Sequence, residues 1–299
     1  MFLVRAALGV FLAATLAAGV AMGVDRDAAP VTDAPLPGCP LTGPYVPPPP
    51  DSVGTPAGLT LCPVRAALEV RTPGAVLDGL DLVGGVVVAA PDVVVRRSRI
   101  TGDGTTAAGV RTVGRGSVRI EDSTLTGDFT DAAVDGAAWV AERIELTGVS
   151  ADGARLGPGA TLRNSWLHDF RPRPDREIDA VTLAAGDGGD VLVEDNRVAL
   201  GRGSGLGSAV LVDPVVAAHH ESEAEQLAVK GQSRKGPVVV RGNELGGGEY
   251  TLLQDVGEGS TVRITGNRFH RDAAAATVRI RGAAVLADNL FVDGGEVWR

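Results

Sequence analysis

Apolar runs of three to five residues, alternating with period two, fill the chain from about residue 64 onward. VVVRRSRI (93–100), VLVEDNRV (191–198), VRITGNRF (262–269) and AVLADNLF (284–291) share one template: apolar–x–apolar–x–x–polar–x–apolar. With one imperfect apolar place allowed, the polar slot falls at Ser98, Ser123, Thr147, Ser165, Asn196, Asn243, Asn267 and Asn289. Successive spacings are 25, 24, 18, 31, 47, 24 and 22 residues. The widest is close to two periods, and SAVLV at 208–212 supplies the missing strand. An earlier lap, AVLDGLDL at 75–82, carries Leu80 in the slot.

A period near 23 residues marks a solenoid. The runs are too short for amphipathic helices, the fixed leucines of a leucine-rich repeat are absent, and one period is too short for a propeller blade. The pattern therefore predicts an all-β coil of about nine or ten laps, each rising about 4.8 Å, in a rod of about 45 Å. Slot side chains should stack along the axis and hydrogen-bond to one another. Asn there also suits the left-handed backbone of a tight bend.

Composition fits this. The chain is 44% hydrophobic but only 4% aromatic, with 41 glycines among 299 residues, which suits thin layers of β-branched strands. Residues 1–23 read as a signal peptide or anchor: Arg5, then the apolar run 6–24, with Ala21 and Gly23 before the expected cleavage. Left uncut, residues 6–24 are just long enough to act as a membrane tether. Residues 24–56 are Pro-rich, including Pro47 to Pro50, and read as an extended tether; residues 57–299 form the solenoid domain. Removing 1–23 leaves 27 basic against 37 acidic residues, which argues against nucleic acid or anionic membrane surfaces as partners. Cys39 and Cys62, the two cysteines of an exported chain, read as a disulfide. The expected location is secreted or in the cell envelope.

Five stretches carry a likeness to a known group: GTPAGLTL (54–61), TPGAVLDGLDLVGGVVVAAPDVVVRRSRI (72–100), NSWLHDFRPRPDREIDAVTL (164–183), GGGEYTLLQDVGEGSTVRITGNRF (246–269) and ADNLFVDGGEVW (287–298). From 54 onward the chain resembles the right-handed parallel β-helix, pectate-lyase-like superfamily, and more narrowly exported bacterial β-helix proteins of unassigned function. The resemblance implies a right-handed coil and a carbohydrate partner. It also implies a His-x-Asp-Gly phrase after the candidate loop. Here that phrase is Glu177, Ile178, Asp179 and Ala180, so the acid is kept while His and Gly are replaced.

The densest chemistry is HDFRPRPDREID at 168–179, where the spacing exceeds the period by about eight residues. An insertion on a rigid rod is the usual place for a site. Asp179, Glu177 and Asp175 are the candidate acid–base carboxylates. Arg171, Arg173, Arg176, His168 and Trp166 are candidate substrate contacts, the arginines to neutralise a uronate carboxylate. Asp169, Asp175 and Asp179 offer hard oxygens for Ca²⁺, the one cofactor considered; against all of these stands a solvated loop of mutually paired charges.

A second insertion, 215–236, carries Lys230, Lys235, His219, His220, Glu221, Glu223 and Glu225, and reads as a flap closing a groove with the first. GRGSGLGS at 201–208 fails the dinucleotide spacing and reads as turns. The expected function is binding or processing of a polysaccharide or cell-envelope glycan, by a lyase-like or hydrolase-like reaction if it is catalytic. The rival is a non-catalytic envelope or adhesion rod.

Overall fold

The computed structural model describes residues 28–31, 52–184, 189–213, 236–255 and 261–297. All regular structure in them is β, arranged in three parallel sheets of 10, 10 and 9 strands. Each lap visits the sheets in the same order. Sheet 1 runs from Cys62–Arg65 to Leu290–Phe291, sheet 2 from Ala28–Val31 to Ala276–Ile280, and sheet 3 from Val76–Asp78 to Ala284–Ala287. Every strand but those at the sheet ends pairs in parallel with its equivalents one lap below and above, and crossovers between parallel strands are right-handed. The chain is a right-handed parallel β-helix.

The period-two pattern sends one residue of each pair inward. Leu82, Ile100, Leu125, Leu146, Leu167 and Val198 stack in register inside sheet 1, each 1% exposed or less. These columns join those of the other sheets in one continuous core. Phe129, Trp139 and Phe269 are the only aromatics fully buried among the described residues.

The polar slot lies at the corner between sheets 3 and 1, and the amide stack is present. Asn196 Nδ2 donates to Asn243 Oδ1 (3.0 Å), Asn243 to Asn267 (3.0 Å) and Asn267 to Asn289 (2.9 Å). Each Oδ1 also accepts the backbone N–H of the residue one lap below. Ser98 and Ser165 cap the backbone N–H of Leu80 and Ile144 in the same way. Two expectations are corrected. The slot between the strands Trp139–Glu142 and Glu145–Thr147 is Ile144, not Thr147, which lies within the second of them. The left-handed residue is the one before the slot: Arg97, Asp122, Arg143, Asn164, Asp195 and Asp288 have φ of +48° to +56°, and Gly242 and Gly266 take the same place.

Two stretches of the expected arm touch the coils. Ala28–Val31 pairs in parallel with Ala67–Val70, at the low end of sheet 2. Gly54 N donates to Arg143 O (2.8 Å), and Thr55 bonds Thr124 and the Ser98 carbonyl. This strap crosses three laps beside Ile144, where the slot lacks a polar side chain. Residues 6–24 and Cys39 lie outside the described residues; Cys62 opens the first strand of sheet 1 and is half-buried. Among the described residues no helix is long and apolar enough to cross a membrane.

Candidate functional site

Chemistry collects at the corner between sheets 1 and 2. There the strand Trp166–His168 is followed by residues 169–180 before Val181–Ala184 begins. The insertion is pinned on both sides. Arg171 N donates to Val149 O of the lap below (2.8 Å). Ile178 N donates to Gly205 O (3.0 Å), and Gly207 N returns a bond to Ile178 O (2.9 Å) in the lap above. The glycines at 205 and 207 let the loops close on one another: a Cβ at 205 would meet Arg176 O at 2.8 Å.

Beneath this seam three carboxylates meet. Strand register puts Asp152, Asp179 and Ser208 in one column. Asp152 Oδ1 accepts Asp179 N (3.0 Å), and Asp179 Oδ1 accepts Ser208 N (2.5 Å). Glu177 reaches the same spot. Asp179 Oδ1 and Glu177 Oε1 each lie 2.7 Å from the point where Gly207 would carry a Cβ, so they are at most twice that distance apart. Burial, and then the Asp152 and Glu177 charges, push the Asp179 carboxyl up to about 7 against the pull of its Ser208 hydrogen bonds. Asp152 is itself paired with Arg155 (2.7 Å), which also binds Asp131 at 2.5 Å. Although burial opposes it, Arg155 and a second partner, Arg111, hold Asp131 below the usual carboxylate range. The corner thus favours the charged form of Asp131 and brings the proton of Asp179 into exchange near neutrality. Glu177 also lines an open cleft of about 360 Å³, with Gly203, Ser204, Gly205, Leu206, Glu249, Ala274 and Ala275.

The other sequence candidates are placed apart from this cluster. Arg173 reaches down to Asp128 (4.0 Å) and Arg176 donates to the Thr130 carbonyl. Arg171 is exposed, its guanidinium carbon 3.9 Å from the Cβ place of Gly148. Asp175 is exposed in a turn. None of the three arginines lines the cleft. His168 stacks on Trp166 with centroids 3.7 Å apart, and its nitrogens face Asp169 (2.8 Å) and Glu145 (3.2 Å). Arg197 lies over the same Trp166 ring at 5.5 Å. His168 thus already holds the stacking contact expected of a sugar. Among the described residues no three His, Cys, Asp or Glu side chains converge on a metal, so Asp169, Asp175 and Asp179 are not brought together.

The second insertion, 215–236, lies almost wholly outside the described residues. Its flanking strands, Ser208–Asp213 and Val238–Arg241, put its ends at the corner between sheets 2 and 3. Residues 169–180 enter at the other end of sheet 2. Asp152 and Glu249 are site residues that the motif reading missed. Asp152 lies 27 residues before Asp179, close to one lap, and that spacing was the available signal. Comparison with protein-family models, with curated proteins and with solved structures finds no match to this chain.

Proposed function

We propose that the protein is an extracytoplasmic, pectate-lyase-like β-helix that binds and hydrolyses a polysaccharide at the corner between sheets 1 and 2. One observation carries the reading: Glu177 lines an open cleft, and within a few ångströms of its carboxylate lies Asp179, a buried carboxyl pushed up to about 7. Paired carboxyls about 5–5.5 Å apart suit retention of configuration, with one acid and one nucleophile. Asp179 would protonate the leaving oxygen, and Glu177 would stabilise or attack the sugar carbon on the other side. Asp152 keeps the Asp179 proton in place by its charge.

The hydrolytic form of this reading is favoured over elimination from a uronate. Elimination needs a cation on the sugar carboxylate, and Arg173 and Arg176 are turned to Asp128 and Thr130. The rival reading, a stiff spacer, is favoured by the bond from Ser208 N to Asp179, which makes this carboxylate a cap as well.

The test is a panel of neutral and acidic glycans, followed by reducing ends and by ultraviolet absorbance of unsaturated product. Release of reducing ends that falls as pH rises through about 7 is the expected result. Asp179→Asn should lower the rate by about 10²–10⁴-fold. Neither product nor glycan binding across the panel would leave the spacer standing.

A further inference from the structure

We propose that the outer face of sheet 3 is a self-association surface, on which a second copy of this chain packs with its rod axis reversed. Strand register fixes two outward columns over the seven strands from Val76–Asp78 to Val238–Arg241, and the two are self-complementary. A two-fold axis parallel to the strands, through Val140 and Glu142, sets Val76 opposite Val239, Val94 opposite Leu192 and Val140 opposite itself. Arg119 falls opposite Thr161. In the second column the same axis sets Arg96 against Glu194 and Glu121 against Arg163, while Asp78, its side chain only 6% exposed, stays with its own Arg96 and Arg97. Among the charged positions Glu142 alone faces a like charge.

Val76 is 50% exposed, and Val94, Val140, Leu192 and Val239 are half-buried outside the core. The spacing along this face follows from the fold, because every lap rises by one strand spacing whatever its loops do. Equal rise keeps column facing column over the whole length. A two-fold along the rod axis would instead lay the valines on the charged column, Val94 against Arg96, at a desolvation cost. The reversed packing is therefore selected by apolar match and by charge together. Several of these charges are already paired within their own sheet, as in Arg96–Asp78 (2.9 Å) and Arg163–Glu142 (2.8 Å). The partner extends those pairs into a network. Fourteen outward side chains per copy fall short of the roughly 20–30 of a standard interface, so the dimer is reversible.

Sedimentation velocity on the full chain over a wide concentration range tests this. A monomer–dimer equilibrium is expected, shifted fully to monomer by Val140→Glu, which sets two carboxylates against each other on the axis. Because Val140 points outward, the melting temperature of the diluted variant should match the parent. Glu142→Gln should act in the opposite sense and tighten the dimer about two- to fivefold, by removing the one like-charge contact. This second variant keeps the test open if the first does not fold. A monomer at every concentration overturns the proposal. So does a dimer unmoved by both substitutions.

Discussion

The two corners that bound sheet 1 are built on opposite principles. Where sheet 3 turns into sheet 1, each of eight laps spends the same two residues, from 97 and 98 to 288 and 289. Where sheet 1 turns into sheet 2, laps spend four residues (148–151), twelve (169–180) or eight (200–207). The first corner is lined by amides and hydroxyls whose donors and acceptors point along the axis. The second gathers Asp131, Asp152, Glu177 and Asp179. Stacking requires identical geometry from lap to lap, so a corner that stacks side chains cannot vary. A corner relieved of that duty can take an insertion without disturbing the strands on either side, and it is there that the carboxylates gather.

The contrast can be broken at the rigid corner first. Asn267→Ala deprives Asn243 of the acceptor for both its backbone and side-chain N–H, and leaves Asn289 Oδ1 and Val240 O short of a donor. A loss of about 3–4 kcal/mol is expected in urea unfolding. A loss below about 1 kcal/mol would show the ladder to be ornamental.

A smaller effect of reversed sign is expected at the variable corner. The Asp179 carboxyl is raised from 3.8 to about 7, so the folded state holds its proton more tightly than the unfolded chain does. Its burial therefore penalises folding increasingly as pH climbs through that window, and the penalty is absent below it. Asp179→Asn removes the penalty. It should stabilise the protein on the order of 2 kcal/mol at pH 8 and leave it unchanged near pH 4, read by thermal melts at both. Destabilisation at pH 8 would mean that the cap to Ser208 outweighs the charge. Least of all should follow from Arg173→Ala, whose contact with Asp128 is long and exposed: under about 0.5 kcal/mol in the same melts.

The rigid corner was legible in the sequence because stacking writes a periodic signature. Asn196, Asn243, Asn267 and Asn289 could be aligned by counting, and they form the column that counting predicts. The template failed at Ile144 for a physical reason. A lap can turn there with an apolar slot, since Arg143 takes the left-handed place and binds Asp122 at 2.6 Å, and the nearest Asn, Ser or Thr, Thr147, was taken instead. The variable corner was legible only as a location. The richest run of charges named the loop and included Asp179 and Glu177. Its arginines, equally prominent in the sequence, turn to Asp128 and Thr130, partners more than forty residues earlier. Asp152 was hidden because its relation to Asp179 exists only across a lap. A composition-based search sees charges; it does not see which neighbour in the stack they face.

The strap formed by Gly54 and Thr55 makes the two ends of the rod unequal in how they come apart. At the low end Ala28–Val31 covers one strand edge, and the strap clips together the laps of Ser98, Thr124 and Arg143. At the high end Val278, Ile280 and Leu286 are only partly covered. Amide protons there should be the first to trade with solvent, and melting should run downward from the C-terminal laps like a zip opened from one end. The clipped laps would be the last to let go.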